Sequence, residues 1–183
     1  MITHYMTEKQ LQIVETALHL FAEMGFDAVS TNKIAQEAGV SEGLIFRHFQ
    51  NKLGLLNAIM QIGAEKIALF SEQIEILATP EEKIQAVLEL PFHIKEDEYP
   101  FWKLLNGLKW QNQYYDQTAV APIRNIIEKA FKDMNYSNPT TETDLILAYT
   151  DGLATSILLK STEVDKNELL KTLRKKYNWI LKK

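Results

Sequence analysis

No proline precedes Pro80, and over that stretch the apolar residues recur every three or four positions. Proline interrupts a helix from within, whereas apolar residues at this spacing line one face of a helix. Helix-forming residues dominate the rest of the chain, and strand-like alternation is nowhere sustained beyond a few residues. The sequence therefore predicts an all-α fold of about nine helices.

Capping residues place the first three helices. Thr7 and Gln10 have the spacing of a capping box, which starts the first helix. Ser30 or Thr31 is expected to cap a short second helix. A third helix is expected over residues 42–49.

The later helices are placed by apolar spacing and by proline. A long fourth helix is predicted from about Lys52 to Leu77, with inner residues Leu53, Leu56, Ile59, Met60, Ile67 and Phe70. The middle of the chain is expected to be interrupted at Pro91, Pro100 and Pro122. The last two long helices are expected at about 142–160 and 166–181. We place the domain boundary within the fourth helix, giving an N-terminal domain of residues 1–56 and a helical bundle of residues 57–183.

Composition excludes several classes of site. The chain has 20 Lys and Arg residues, 24 Asp and Glu residues and no cysteine, so disulfide scaffolds, thiolate metal sites and cysteine nucleophiles are excluded. No histidine has the Glu-x-x-His spacing of a bundle di-iron site, and no phosphate-binding glycine loop occurs. We expect no metal, no cofactor and no enzymatic activity. The polar N-terminus and the short apolar runs carry no targeting or membrane signal, so a cytoplasmic protein without a membrane partner is expected.

The segment Thr31–Phe49 is the most informative part of the sequence. A helix-turn-helix needs a small residue where the helices cross, a glycine in the turn and an apolar residue after it, and Ala35, Gly39 and Val40 supply these. The second helix of such a unit lies in the major groove of DNA. Taken alone, the spacing also fits a purely structural helical hairpin.

A longer string of residues surrounds this segment. It consists of Ala22-Glu23-Met24-Gly25-Phe26, Ser30-Thr31, Ile34-Ala35, Ala38-Gly39-Val40-Ser41, Gly43 and Phe46-Arg47-His48-Phe49-Gln50-Asn51-Lys52. Together these residues closely resemble the DNA-binding domain of TetR-family transcriptional regulators, over roughly residues 8–57. In the remainder, the helix count and the Tyr149–Leu153 stretch are similar to the family.

The resemblance implies a set of DNA-binding residues: Thr31, Lys33, Ser41, Glu42, Gly43, Leu44, Phe46, Arg47, His48 and Lys52. Arg47 is expected to reach a guanine edge or a phosphate, and His48 and Lys52 match positions that hold the DNA backbone. Phe46 departs from the usual tyrosine, so a phosphate contact is lost while a packing role is expected to survive. Glu42 either accepts a hydrogen bond from a cytosine amino group or repels phosphate and points away.

The resemblance also implies an effector pocket and a dimer in the larger domain. The candidate ligand-binding residues are Phe92, Phe101, Trp102, Trp110, Tyr114, Tyr115 and Tyr149. Aromatic residues at helical spacing are equally compatible with a plain core. The last two long helices are the candidate dimer interface.

The favoured function is a ligand-responsive transcriptional regulator that binds a palindromic operator as a homodimer, a repressor released when a small molecule shifts the population of states. The alternative is a helical ligand-binding or oxygen-handling enzyme that does not bind DNA. A third possibility is a regulator with a degenerate pocket, controlled by a protein partner. Residues 1–56 have four basic and six acidic residues, which implies modest affinity for random DNA.

Overall fold

The computed structural model describes residues 6–111, 117–161, 163 and 165–177. All regular structure in these ranges is helical, which confirms the all-α prediction. The α-helices are α1 (Glu8–Met24), α2 (Thr31–Glu37), α3 (Glu42–Phe49), α4 (Lys52–Glu75), α5 (Pro80–His93), α6 (Tyr99–Gln111), α7 (Ala121–Asp133), α8 (Pro139–Leu158) and α9 (Lys166–Tyr177). Two 3₁₀ turns lie at Glu96–Glu98 and Gln117–Val120.

Local capping signals account for the helix starts. Thr7 caps α1 and forms the predicted capping box with Gln10. Ser30 caps α2 by accepting a hydrogen bond from the backbone N–H of Lys33 at 3.1 Å. Each such bond satisfies an N–H group that has no partner inside the helix, so three-residue spacings in the sequence were sufficient to locate these ends.

Two predictions about the middle of the chain are wrong. Pro91 lies inside α5 and does not interrupt it. Its ring removes one hydrogen bond from the preceding turn, and Pro91 is buried beside Leu88 and Phe92, so packing within the second unit holds the helix through this position. Leu53 is exposed, and the neighbouring Leu55 is the buried residue at the start of α4.

Contacts divide the chain into two compact units, Met1–Ile67 with Asp97–Asp116, and Ala68–Glu96 with Gln117–Lys183. The first unit therefore includes α6, which packs against α1. Its core contains Ile13, Ala17 and Phe21 from α1, together with residues of α2, α3, α4 and α6. The functional division at residues 56 and 57 remains a prediction.

The second unit is held together by packing among α5, α7 and α8, with α9 against α5. Its buried side chains include Ile84, Val87, Ile127 and Phe131. Among the described residues of this unit, one charged side chain is buried with the apolar ones: Glu89 on α5, whose carboxylate accepts hydrogen bonds from Arg174 on α9 at 2.6 and 2.8 Å.

Among the described helices, α4 is long and apolar enough to cross a membrane by length and composition. The core helix of a water-soluble protein passes the same test, and Leu55, Leu56 and Ile59 of α4 lie in the core of the first unit. The helix is therefore weak evidence for a membrane span, and the absence of a membrane partner stays a prediction.

Candidate nucleic-acid interface

The turn between α2 and α3 has the geometry that a helix-turn-helix requires. Gly39 adopts a φ of +62°, a left-handed conformation that glycine reaches without steric cost. The backbone N–H of Val40 donates to the carbonyl of Ala35 at 3.0 Å. Ala35 and Ala38 are buried, so small side chains let the two helices approach at the crossing. The sequence-predicted motif is confirmed in its local geometry.

Helix α3 has one buried face and one exposed face. Ile45 and Phe49 are buried in the core of the first unit. Gly43, Phe46 and Arg47 are exposed and lie three or four positions apart, which places them on one side of the helix. Phe46 is 47% exposed, so the expectation that it keeps a packing role is wrong. This side carries an arginine, an aromatic ring and a glycine.

The starts of α2 and α3 are joined by one short hydrogen bond. The hydroxyl of Thr31 donates to the Oε1 atom of Glu42 at 2.6 Å, and both residues are half-buried. Ser41 is the N-cap residue of α3, yet its side chain makes no capping hydrogen bond. Glu42 is the acidic residue of the first turn of α3, and the hydrogen bond from Thr31 orients its carboxylate.

His48 is held by the residue that completes the capping box of α1. The side-chain oxygen Oε1 of Gln10 accepts a hydrogen bond from the backbone N–H of Thr7 at 2.8 Å. The side-chain nitrogen Nε2 of Gln10 lies 3.3 Å from Nδ1 of His48. An amide nitrogen can only donate, so Nδ1 accepts and the ring proton lies on Nε2. The second role of Gln10 was missed, since the three-residue spacing to Thr7 already explained it.

Lys52 at the start of α4 holds the loop between α1 and α2. Its ammonium group donates to the carbonyl of Phe26 at 2.9 Å and to that of Asp27 at 3.3 Å. The same group lies 4.4 Å from the centroid of the Phe26 ring, a cation–π distance. The sequence pattern assigned Lys52 to the DNA backbone, whereas these contacts give it a structural role in the first unit.

The remaining predicted DNA-binding residues differ in exposure. Ser41 is exposed, whereas Lys33 and Leu44 are half-buried. On the exposed side of α2, Asn32 accepts a hydrogen bond from Gln36 at 3.0 Å. The described part of the interface therefore offers Arg47 as its most accessible basic side chain among the predicted residues.

The predicted ligand-binding aromatics are divided between the two units. Phe101 is buried in the core of the first unit, and Trp102 packs against that core at a ring distance of 5.4 Å from Phe101. Phe92 is buried in the second unit and Tyr149 is exposed there. Tyr114 and Tyr115 lie outside the described residues, as does the side chain of Trp110. For Phe101 the plain-core alternative accounts for what is seen.

A small open cavity of about 130 Å³ lies in the second unit, lined by Ala78, Pro80, Lys83, Ile126, Lys129, Ala130 and Asp133. It contains none of the predicted aromatics and is smaller than the several hundred cubic ångströms typical of an effector site. No group of three or more potential metal ligands occurs among the described residues.

Residues 13–59 match the family model of bacterial regulatory proteins, tetR family. Over this segment the chain is similar to TetR-family regulators. The match covers α2, α3 and the turn between them, together with most of α1 and the start of α4, so it falls on the residues whose geometry was described above. The TetR-type helix-turn-helix is therefore the segment from Thr31 to Phe49.

Relatives and solved structures extend this likeness. The fatty acid metabolism regulator protein of Bacillus subtilis is 33% identical over 90 residues, which are 47% of this chain and 45% of that protein. An HTH-type transcriptional regulator of Staphylococcus aureus is 24% identical over 151 residues, 82% of this chain and 80% of that protein. The fatty acid degradation regulator FadR from Bacillus halodurans has the same fold, with a TM-score of 0.70 at 20% identity over 93% of this chain and 94% of that one.

The chain spans less than half the length of the first of these relatives. The three proteins quoted are all named as regulators, and nothing in the comparisons supports the enzyme alternative. The Bacillus halodurans structure is similar to this chain over both units, and at 20% identity this similarity shows the fold alone.

Proposed function

We propose that this chain is a dimeric transcriptional repressor of the TetR family, released from a palindromic operator when a small molecule binds. The observation that carries the proposal is the two-sided α3: Ile45 and Phe49 anchor it, and Gly43, Phe46 and Arg47 are left exposed on the other side. A helix presented in this way fits the major groove. Residues 1–56 are the proposed DNA-binding domain and residues 57–183 the effector and dimerisation domain of a cytoplasmic protein.

The proposed contacts divide into positioning and base-reading groups. Arg47 reads a guanine edge or holds a phosphate, since its planar fork suits either. Ser41, Lys33 and the Nε2–H of His48 position the backbone. Lys52 has three N–H donors, of which two already face loop carbonyls, so we assign it at most one phosphate contact.

The dimer is proposed to form through α8, together with α9. Leu145, Ala148, Tyr149 and Gly152 are exposed at helical spacing on α8, which gives an apolar stripe with small residues for close approach. In a two-fold dimer this stripe meets its own copy and sets the separation of the two α3 helices. Helix α9 contributes less apolar surface, because Leu173 is buried within the second unit.

The effector is proposed to be a fatty acyl compound. The support is that two relatives are named for fatty acid metabolism or degradation. A ligand of this kind needs an apolar cavity larger than the one described in the second unit. We propose that its binding selects a state of the protein that fits the operator less well.

The test starts from a duplex selected out of a random library by the full-length protein. Binding is followed by fluorescence anisotropy as a function of salt. Arg47→Ala is expected to weaken operator binding about tenfold or more, because a bidentate contact is worth about 1–3 kcal/mol. Lys103→Ala, an exposed lysine of α6, is the charge-matched control and is expected to leave the affinity within about twofold.

Two results would contradict the proposal. If no duplex is enriched by the wild-type protein, the DNA-binding function fails. If Arg47→Ala and Lys103→Ala bind the operator equally well, the assignment of α3 as the reading helix fails. Release of the bound duplex by acyl-coenzyme A or free fatty acid, and not by a short-chain alcohol, tests the effector class separately.

A further inference from the structure

We propose that Glu42 is a specificity-determining residue, which keeps phosphates away from the start of α3 unless a base edge compensates its charge. The inference deepens the proposed DNA-binding function and rests on it. Glu42 is the first residue of the helix, and its carboxylate is fixed by the 2.6 Å hydrogen bond from Thr31. A hydroxyl donating to an ionised carboxylate at this distance is a strong, charge-assisted bond.

The Glu42 carboxylate interacts with two groups that would otherwise attract phosphate, namely the N-terminus of α3 and the hydroxyl of Thr31. The start of a helix carries a partial positive charge and unpaired N–H groups, which favour an anion. Glu42 supplies that anion from within the protein. The Thr31 hydroxyl has a single proton, so while it donates to Glu42 it cannot donate to a phosphate oxygen.

The charge balance at this end of α3 makes the effect matter. Residues 1–56 contain four basic residues, and one of them, Lys52, already faces two loop carbonyls. Arg47 lies five positions further along the helix. One fixed negative charge therefore offsets a large part of the local attraction for the DNA backbone.

A uniform repulsion would weaken binding to every sequence alike. Glu42 is selective because a carboxylate oxygen is a hydrogen-bond acceptor, and the amino groups of cytosine and adenine are donors in the major groove. A sequence that brings such a donor to Glu42 recovers the lost affinity. A random sequence recovers nothing, so the ratio of operator to random affinity rises.

The experiment compares wild type, Glu42→Gln, Thr31→Val and Glu37→Gln as full-length proteins, on the selected operator and on a random duplex. The glutamine at position 42 can still accept the Thr31 hydrogen bond but carries no charge. We expect Glu42→Gln to raise affinity for random DNA about three- to tenfold at low salt and to steepen the salt slope by up to about one. Glu37→Gln removes the same charge from an exposed site at the end of α2 and is expected to change neither quantity.

Thr31→Val keeps the negative charge of Glu42 and removes the hydrogen bond that holds its carboxylate in place. We expect it to lower operator affinity severalfold, because Glu42 is no longer held toward the base edge, and to leave random-duplex affinity unchanged within about twofold. A merely structural role for the pair would change the melting temperature and not the affinity ratio, so thermal unfolding is measured on every variant.

Three outcomes separate the possibilities. If Glu42→Gln and Glu37→Gln have the same ratio of operator to random affinity, the inference is overturned. If Thr31→Val raises random-duplex affinity as much as Glu42→Gln, the hydroxyl and not the charge controls phosphate binding, which also overturns it. If the wild-type protein binds no duplex, the proposed function fails first.

Discussion

Lys52 is the residue for which the prediction from sequence and the contacts in the structure differ most. A lysine at this position of the motif was predicted to hold the DNA backbone, and no local pattern indicates otherwise. Its acceptors are carbonyls 25 and 26 positions earlier in the chain. Sequence patterns identify which residues cluster near an interface, whereas hydrogen-bond partners at such separation are set by tertiary packing.

Removing the ammonium group of Lys52 is expected to destabilise the protein. Lys52→Met loses two hydrogen bonds to carbonyls and the contact with the Phe26 ring while it keeps the aliphatic stem. We expect a loss of about 1–2 kcal/mol in the free energy of unfolding, measured by urea denaturation. Lys9→Met, an exposed lysine of α1, is the matched control and should change stability by less than about 0.5 kcal/mol. Equal stability of the two variants would show that the loop does not depend on Lys52.

At the scale of helices, residues close in sequence determine where a helix begins, whereas contacts between distant residues determine which unit it joins. The start of α1 at Thr7 and the start of α2 at Ser30 follow from residues three positions apart, and both were predictable. The assignment of α6 to the first unit was not, because its partner α1 is about ninety positions earlier in the chain. For Phe101 on α6 the sequence therefore left two alternatives open, a pocket residue and a plain core residue.

The packing of α4 against α6 in the first unit depends on Gly63. A Cβ atom at this position would overlap the buried Phe101 ring, so Gly63→Ala forces the ring to move within a closed core. We expect a loss of about 1–3 kcal/mol in stability by thermal or urea unfolding. Gly107→Ala on α6 meets open space and is expected to stabilise by about 0.5–1 kcal/mol. The same sign of change in both variants would contradict the packing.

The connection between α5 and α9 is expected to depend on pH. Hydrogen bonds from Arg174 hold the pKa of the Glu89 carboxyl below its ordinary value of 4.5, although burial acts in the opposite direction. A carboxyl with a lowered folded pKa contributes stability above pH 4.5, and this contribution is lost as the pH falls through the lower value.

Arg174→Met tests this connection. We expect a loss of about 1–3 kcal/mol near pH 7, because the Glu89 side chain is only 8% exposed and loses its guanidinium partner, while the Gln85 amide still donates to it at 2.7 Å. Lys175→Met, an exposed neighbour on α9, is the control. The difference between the two variants should shrink as the pH falls below 4.5. A difference that stays constant from pH 7 to pH 3 would show that the ionised carboxylate is not what stabilises α9.

At the scale of the whole molecule, the distribution of charge bears on assembly. Residues 57–165 hold 9 basic and 17 acidic residues, whereas residues 166–183 hold 7 and 1. Arg174, within the basic segment, pairs with Glu89 of its own unit. The basic surplus at the C-terminus therefore does not by itself indicate a second DNA site.

The oligomeric state is expected to depend on the exposed stripe of α8. Leu145 is 61% exposed there. An aspartate at this position would place a negative charge and its symmetry-related copy in the two-fold interface, where they repel each other. We expect wild type to sediment as a dimer and Leu145→Asp as a monomer at micromolar concentration. Ile76→Asp, at an 83% exposed site after α4, is the matched control and should remain dimeric. A dimeric Leu145→Asp variant would move the interface away from α8.

Gln10 has a consequence for how this protein can change over generations. Its side chain closes the start of α1 and also faces Nδ1 of His48 on α3. Glutamate is the other residue that completes a capping box, and a single mutation exchanges the two. A carboxylate would preserve the helix start yet offer no proton to the ring nitrogen. The imidazole can instead donate from Nδ1, so we expect descendants that carry this exchange to keep both contacts of position 10 and to reverse the direction of the hydrogen bond to His48.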